Sequence, residues 1–332
     1  MSRTHYLSDE KVHYKWDVEN EPLIEIESGD TVVVETRDIS DRQVGPDSDA
    51  SALDTFDWDR AYPLTGPIAV DGSEAGDTLR IEILDIQTRG WGWTGVIPGF
   101  GLLAEEFSQG YVRTYDLSNG SFAYLREDVA VPLAPYFGTM GVCPEGATDV
   151  SIIPPGRFGG NMDNRQLVRG STLYLPVQND DALFSCGDAH GAQGDGEVCG
   201  TAVEAPMYAA LRITLEKGRA IPAPQYRTPA PLTPLVDSAP FFATMGIGGD
   251  LYGAAQDAVR AMIDHLTARY SLTPEDAYLL CSIAVDLKIS EIVDGGQYIV
   301  SALLPEAIFT AAPSDGAAGR RRFERAPAGA VV

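Results

Sequence analysis

The chain has 332 residues, of which 44% are hydrophobic and 22% charged, so it can bury a large core and is not a disordered protein. Its 48 acidic and 24 basic residues give a net charge of −24. Such an acidic protein repels phosphate backbones and anionic lipid surfaces, and we therefore expect neither nucleic acid nor a membrane as a partner.

The sequence carries no targeting or redox signal. No run reaches the roughly 18 apolar residues of a membrane span, and no basic segment followed by an apolar run opens the chain. The four cysteines lack CxxC spacing and are predicted to be reduced core thiols: Cys143, Cys186, Cys199 and Cys281. We expect a cytoplasmic protein.

Residues 27–39 and 74–86 repeat one pattern, a Gly-Asp-Thr turn followed by apolar residues at intervals of two. Each copy predicts a turn and then a strand. In the first copy residues 23–27 supply a preceding strand, so the turn at 28–30 is predicted to close a hairpin.

Further strands are predicted where β-branched and apolar runs lie between Gly, Pro, Asn and Asp, at residues 171–177, 182–186, 200–205 and 207–216. Helical periodicity follows. Asp250 is placed as the N-cap of an apolar stripe that extends to Leu266, and Thr273 precedes Pro274 at the start of a second helix.

These elements predict a mainly β fold, a jelly-roll-like β-sandwich with a smaller α/β portion that carries two C-terminal helices. We expect residues 1–310 to form a single domain, with its helical part at about 250–290. Residues 222–234 are predicted to be an extended connection, and residues 311–332 a flexible tail.

The stretch from residue 156 to 204 concentrates acids, amides and one histidine among glycines. Asp188 and His190 are two positions apart, so in an extended strand both side chains leave the same face. A carboxylate and an imidazole placed in this way can ligate Zn²⁺ or Fe²⁺, and Asp163 would be a third ligand. Such an ion activates water and polarises a carbonyl, while Glu197 could relay the proton.

Simpler interpretations stay open at this point. The acids could be turn residues and His190 a solvated side chain. Trp91 and Trp93 could form an aromatic wall in a glycine-rich loop, or they could only pack in the core.

Several short motifs, in this order and spacing, resemble the acetamidase/formamidase family over about residues 10–308: Thr65-Gly66-Pro67, Gly159-Gly160-Asn161-Met162-Asp163, Leu175-Pro176-Val177, Gly187-Asp188-Ala189-His190, Gln193-Gly194-Asp195-Gly196-Glu197 and Gly200-Thr201-Ala202-Val203-Glu204. The resemblance implies a β-sandwich with a smaller α/β portion, metal dependence, and hydrolysis of short amides to ammonia and a carboxylic acid. Tyr62 departs from the family pattern just before Pro63, which leaves the exact amide open.

The leading hypothesis is a metal-dependent amidase that acts on formamide, acetamide or a similar small amide. The predicted metal ligands are Asp163, Asp188 and His190. We favour Zn²⁺ over Fe²⁺ or Mn²⁺, with Ca²⁺ as a structural ion, and we expect a homo-oligomer. Glu197 is the predicted general base, and Asp195 is a second catalytic acid or an alternative ligand. The residues predicted to contact substrate or support the ligands are Asn161, Gln193, Glu204 and Asp38.

Two other functions compete with this hypothesis. One is a non-enzymatic β-sandwich that binds carbohydrate or another small ligand through Ca²⁺ loops, with Trp91 or Trp93 as a stacking surface. The other is a hydrolase of a different C–N bond, such as a lactam. The identity of the metal separates the first from the amidase, and a substrate panel separates the second.

Overall fold

The computed structural model describes residues 2–229, 240–293 and 296–310. In chain order the strands are β1 (Thr4–Leu7), β2 (Lys15–Trp16), β3 (Ile24–Ile26), β4 (Thr31–Thr36), β5 (Leu64–Val70), β6 (Thr78–Thr88), β7 (Trp91–Val96), β8 (Tyr111–Asp116), β9 (Phe122–Arg126), β10 (Val129–Pro132), β11 (Tyr136–Gly141), β12 (Val150–Ser151), β13 (Gly159–Asn161), β14 (Thr172–Pro176), β15 (Phe184–His190), β16 (Met207–Glu216), β17 (Gln225–Arg227), β18 (Phe241–Gly248), β19 (Asp286–Glu291) and β20 (Tyr298–Pro305). The helices are α1 (Leu251–Tyr270) and α2 (Pro274–Ala284). The predicted mainly β fold with two late helices is confirmed.

Two sheets form the body of the molecule. One has the strand order β1-β4-β16-β6-β14-β17, and the other has the order β13-β11-β15-β5-β3. Apolar side chains of both sheets meet in one core, among them Val34 and Leu211 from the first sheet and Ile68, Met140 and Phe184 from the second. Full burial of each such side chain stabilises the fold by about 1.5–3 kcal/mol, so this core is what joins the two layers.

The turn at residues 28–30 does not close a hairpin, and that prediction was wrong. β3 pairs in parallel with β5, whereas β4 pairs with β16 in the other sheet. The turn therefore carries the chain from one layer to the other. Its Asp30 carboxylate accepts hydrogen bonds from the backbone N–H groups of Arg3 (2.7 Å) and Glu27 (3.3 Å), which stabilise the crossover locally.

The second copy of the repeated pattern makes the same crossover, from β5 in one sheet to β6 in the other. Asp77 accepts a hydrogen bond from the N–H of Glu74 at 2.9 Å, as Asp30 does from Glu27. β4 and β6 then flank β16 on its two sides. The sequence repeat is thus a structural repeat of the sandwich.

Two of the predicted strands differ from the structure. The strand predicted at 182–186 begins at Phe184 and continues to His190, because residues 181–183 all have positive φ angles of 52° to 62° and cannot join a ladder. Residues 200–205 form no strand. Only Glu204 makes isolated bridges there, and its own carboxylate accepts the N–H of Ala202 at 2.8 Å, which bends the chain. Strands β14 and β16 confirm the predictions at 171–177 and 207–216.

The smaller α/β portion consists of the sheet β18-β20-β19 with the two helices. Both predicted N-caps are confirmed, since Asp250 accepts the N–H of Gly253 (2.8 Å) and Thr273 accepts that of Asp276 (3.1 Å). The predicted apolar stripe of α1 is buried, including Ala258, and packs on the sheet and on the adjoining core.

Other predictions concern single features. All four cysteines are free and buried, as predicted. In the predicted extended connection, residues 225–227 form β17, while residues 230–239 lie outside the described residues, as does the predicted tail at 311–332. Neither α1 nor α2 combines the length and the apolar character that crossing a membrane requires.

Gly246 allows α1 to contact β18, and its replacement by alanine should destabilise the protein. A Cβ atom there would lie 1.9 Å from the carbonyl oxygen of Ala254, which is backbone and cannot move aside. We expect Gly246→Ala to lower the free energy of unfolding by about 1–3 kcal/mol, as overpacking does, measured by urea denaturation. The matched control is Gly248→Ala on the same strand, where the nearest atom would be 3.7 Å away. Equal stability of the two variants would contradict this account of the packing.

Candidate active site

Four carboxylates surround one imidazole between β11, β15 and the loops that follow β13 and β15. His190 Nε2 lies 3.1 Å from Asp188 Oδ1, 3.3 Å from Glu204 Oε2 and 3.9 Å from Glu197 Oε1. Asp163 completes the cluster, because its ligand atom and those of His190 and Glu197 lie within 4.8 Å of one another. Asp188, His190 and Glu204 form a second such group. The two groups share the imidazole.

Three of the four acids have an unusual backbone conformation. The φ angles are 45° at Asp163, 51° at Asp188 and 43° at Glu197, in the left-handed region that L-residues rarely occupy. Asp188 therefore does not have the regular extended conformation that the sequence predicted, and the β11–β15 ladder pairs Gly187 and Ala189 but not the residue between them. Strained residues of this kind cluster at functional sites, where surrounding contacts hold them in place.

Gly138 on β11 provides the space in which the acids meet. A Cβ atom at this position would lie 2.6 Å from Asp163 Oδ1, 2.7 Å from Asp188 Oδ2 and 2.8 Å from His190 Cε1. Any side chain would thus occupy the centre of the cluster. Glycine is required here by the close approach of three functional groups.

The far side of the imidazole is held by Tyr136 and Gln193. His190 Nδ1 lies 2.9 Å from the Tyr136 hydroxyl and 2.9 Å from Gln193 Oε1, and Tyr136 also donates to Gln193 Oε1. The amide group of Gln193 donates to the carbonyl oxygen of Asp163 at 3.0 Å, which fixes its orientation. Because Gln193 Oε1 can only accept, Nδ1 carries the proton, and in the neutral ring Nε2 offers its lone pair to the carboxylate side.

A second set of hydrogen bonds supports Asp188. The Thr139 hydroxyl lies 3.2 Å from Asp188 Oδ2 and 3.0 Å from Asn161 Oδ1. The Asn161 amide group in turn donates to the carbonyl oxygen of Ile153 at 3.1 Å. Asn161 therefore joins β13 to β11 and supports a ligand candidate.

The pKa values of the cluster residues indicate a site that a bound cation would stabilise. Burial raises the pKa of Asp163 to about 7, helped by the nearby Asp188 carboxylate, and burial likewise raises the pKa of Glu197 well above 4.5 and that of Glu204 above its usual value. Burial alone would lower the pKa of His190, but the Glu204 and Asp188 carboxylates outweigh it and raise that pKa well above 6.5. Asp163, Glu197 and Glu204 are thus harder to ionise than in water.

Two carboxylate oxygens in the cluster have no hydrogen-bond partner among the described residues. These buried atoms are Asp163 Oδ1 and Glu204 Oε2, and no ion pair joins either residue to a lysine or arginine in that part of the chain. An unpaired buried carboxylate is costly, and a bound cation removes the cost. Carboxylate oxygens and one imidazole nitrogen are ligands that Zn²⁺, Fe²⁺ and Mn²⁺ accept, so the residues present fit a divalent ion.

Two of the predicted site residues lie outside the cluster. Asp195 belongs to neither ligand group, and its backbone N–H donates to Asp286 Oδ1 at 3.0 Å. Asp38 is buried and accepts hydrogen bonds from Ser40 and from the Trp93 indole N–H, the latter at 3.1 Å. Trp93 pairs through its backbone with Glu204, so this tryptophan links Asp38 to the cluster.

Trp93 is fully buried, which favours packing over an aromatic wall. Three further residues of the site, all in β11, were not predicted from the sequence: Tyr136, Gly138 and Thr139. They lie in an apolar run without acids or histidine, so the density of polar residues could not reveal them. Strand pairing with β15 brings them to the site.

Comparison with known proteins identifies the family. A model of the Acetamidase/Formamidase family matches residues 1–149 and 145–311. A formamidase of Methylophilus methylotrophus is 27% identical over an alignment that covers 93% of this chain and 92% of that protein. The solved structure of an acetamidase from Bacillus halodurans is 34% identical, with a TM-score of 0.64 over 90% of this chain and 96% of that one. A gamma lactamase from Delftia acidovorans, 23% identical, shares the fold with a TM-score of 0.86 over 94% of each chain. This chain therefore belongs to the acetamidase/formamidase family and is an amidase, a hydrolase of amide C–N bonds.

Proposed function

We propose that the protein hydrolyses short-chain amides of the formamide and acetamide class to ammonia and the carboxylic acid, with a divalent ion in the cluster around His190. The observation that supports this proposal is the meeting of four carboxylates, two buried and two half-buried, around one imidazole, with two carboxylate oxygens left without a hydrogen-bond partner among the described residues. Small amides offer little remote binding energy, so the site itself must orient the reacting groups.

We assign the ion to Asp163, Asp188 and His190, as the sequence predicted, and add Glu204 because its free oxygen faces the same nitrogen. When bound, a divalent ion would supply Lewis acidity that polarises the amide carbonyl and acidifies water. Gln193 and Tyr136 hold His190 in the required tautomer, and Thr139 holds Asp188.

Glu197 is the general base in this proposal. Its side chain is 17% exposed, whereas those of Asp188 and Glu204 are 2% and 1% exposed, so of these three acids it is the one that water and substrate can reach. Burial raises the pKa of Glu197, which makes it a better proton acceptor than an exposed carboxylate, as is required of a group that takes a proton from the attacking water and returns it to the leaving nitrogen.

A second candidate function is hydrolysis of a cyclic amide. The gamma lactamase with the same fold supports it as an alternative substrate class. The calcium-dependent binding module has less support, because an oxygen-only site would leave the central His190 without a role. Zn²⁺ as the ion, a homo-oligomer and a cytoplasmic location stay predictions.

Ammonia release tests the function directly. We expect release from formamide, acetamide or propionamide, its loss on chelation, and its return with Zn²⁺, Fe²⁺ or Mn²⁺. A γ-lactam in the same panel tests the second candidate. Glu197→Gln should keep the metal and lose about 10²–10⁴-fold in kcat, since it cannot take a proton, while His190→Ala should lose the metal.

The matched control for these substitutions is Glu21→Gln, at an exposed position, which should behave as the wild type. Full activity of the chelated protein, or of folded His190→Ala, would contradict the assignment of the metal site.

Gly138→Ala tests whether the space at the centre of the cluster is needed. A methyl group would press on Asp163, Asp188 and His190, so we expect metal affinity and activity each to fall by about 10–100-fold with the fold retained. The control is Gly45→Ala, where the nearest atom would be 4.0 Å away. Calorimetric titration with Zn²⁺ measures the metal affinity, ammonia release measures the activity, and circular dichroism checks that the fold is retained. Wild-type metal affinity in Gly138→Ala would show that no ion lies beside this glycine.

Metal affinity should increase with pH. Protons and the ion compete for the same atoms, and in the metal-free protein Asp163, with a pKa of about 7, and His190, with a pKa raised well above 6.5, are largely protonated below neutrality. Lowering the pH through 7 therefore weakens binding, by about tenfold per pH unit for each proton displaced. Calorimetry of Zn²⁺ binding in two buffers of different protonation enthalpy counts the released protons. A dissociation constant that does not change with pH would contradict the assignment.

A further inference from the structure

The loop that carries Glu197, residues 191–200, is attached to the smaller α/β portion. Gly194 N–H donates to the carbonyl oxygen of Ser282 at 2.8 Å, and Cys199 N–H donates to the Ser282 hydroxyl at 3.1 Å. Leu287 N–H donates to the carbonyl oxygen of Asp195 at 2.9 Å. The end of α2 and the start of β19 thus form the surface on which this loop lies.

The contact between the loop and α2 leaves no spare room. A Cβ atom at Gly194 would lie 2.1 Å from the carbonyl oxygen of Val285, so backbone meets backbone directly. The position of Glu197, three residues further on, is therefore set by the α/β portion.

Asp286 joins a second loop to the same surface. Its Oδ1 atom accepts the N–H of Asp195 at 3.0 Å and also pairs with the guanidinium of Arg165. Arg165 follows Asp163 by two residues. Both side chains of this ion pair are largely buried, with 15% of Arg165 and 26% of Asp286 exposed. One carboxylate consequently holds the loop of Asp163 and the loop of Glu197 together.

The other half of the cluster does not use this support. Asp188 and His190 lie in β15, within the sandwich sheet. Glu204 is held by backbone bridges to Trp93 in β7 and to His190. The site therefore has one half built on the sandwich alone, and another half, Asp163 and Glu197, that is also contacted from the α/β portion. Asp163 is held from both sides, because its N–H donates to the carbonyl oxygen of Gly138 in β11 at 3.2 Å.

We propose that Arg165 and Asp286 are positioning residues, which clamp the Asp163 and Glu197 loops into catalytic register while the half-site of Asp188, His190 and Glu204 keeps its own geometry. This inference rests on the proposed metal-dependent hydrolysis. It gives the α/β portion a role in positioning Glu197, the proposed general base.

The test compares Asp286→Ala, Arg165→Ala and the double variant with the wild type. Each should lower kcat by about 10–100-fold, as the loss of supporting groups does, and should affect KM much less. Zn²⁺ affinity should fall as well, because Asp163 is one of the assigned ligands. Because the two side chains act as one unit, the double variant should be no worse than Asp286→Ala. Asp286→Asn, which keeps an acceptor for the Asp195 N–H, should recover part of the loss.

The ion pair of Arg113 and Asp276 provides a matched control. It also joins the sandwich to α2, with Nη2 and Oδ2 2.6 Å apart, but it does not contact either ligand loop. Arg113→Ala and Asp276→Ala should reduce stability without reducing kcat. Equal losses of kcat in the two pairs would overturn the clamp and indicate only a general need for the α/β portion.

Hydrogen–deuterium exchange gives a readout that does not need activity. Exchange at the amides of residues 163–167 and 194–197 should accelerate in Asp286→Ala and not in Arg113→Ala. Unchanged exchange, or wild-type kcat in folded Asp286→Ala, would overturn the proposal. Absence of both Zn²⁺ binding and amide hydrolysis in the wild type would overturn the proposed function instead, and the exchange result would still decide whether the clamp exists.

Discussion

The crowding of four carboxylates around the buried His190 is the constraint on which the rest of the site depends. Like charges at this distance repel, and burial removes the water that would solvate them. The raised pKa values of Asp163, Glu197 and Glu204 express that cost. A cation at the centre converts the same arrangement into a favourable one. The cluster is therefore best understood as a site organised for a divalent ion in an amidase.

The fold holds this unfavourable arrangement by surrounding it with rigid elements. β11 contributes Gly138, at a position where no side chain fits. It also contributes Tyr136, which contacts the imidazole of His190, and Thr139, which contacts Asp188. Gln193 links the imidazole to the backbone of Asp163. The left-handed conformations of three acids cost about 1–3 kcal/mol each, and the packed sandwich supplies the stability that tolerates them.

The β-sandwich and the smaller α/β portion support different residues of this site. The sandwich sheet holds Asp188, His190 and Glu204, which are 2% or less exposed and have little freedom. The α/β portion contacts the loop of Glu197, whose side chain is more exposed, at 17%. In the proposed mechanism the general base is therefore supported separately from the more deeply buried Asp188, His190 and Glu204.

The sequence by itself determined the features that depend on near neighbours along the chain. The caps of α1 and α2 are interactions over three residues, so spacing alone predicted them. Asp188 and His190 do lie together as predicted, but through a left-handed Asp188 and not through the regular strand from which their pairing was inferred. The tertiary structure alone decided which strands pair. It turned the predicted hairpin at 28–30 into a crossover between sheets, brought Tyr136 and Gly138 to His190, and placed Asp286 beside Asp195, 91 residues away. Such long-range contacts depend on how the layers close around the core, and no local pattern encodes that closure.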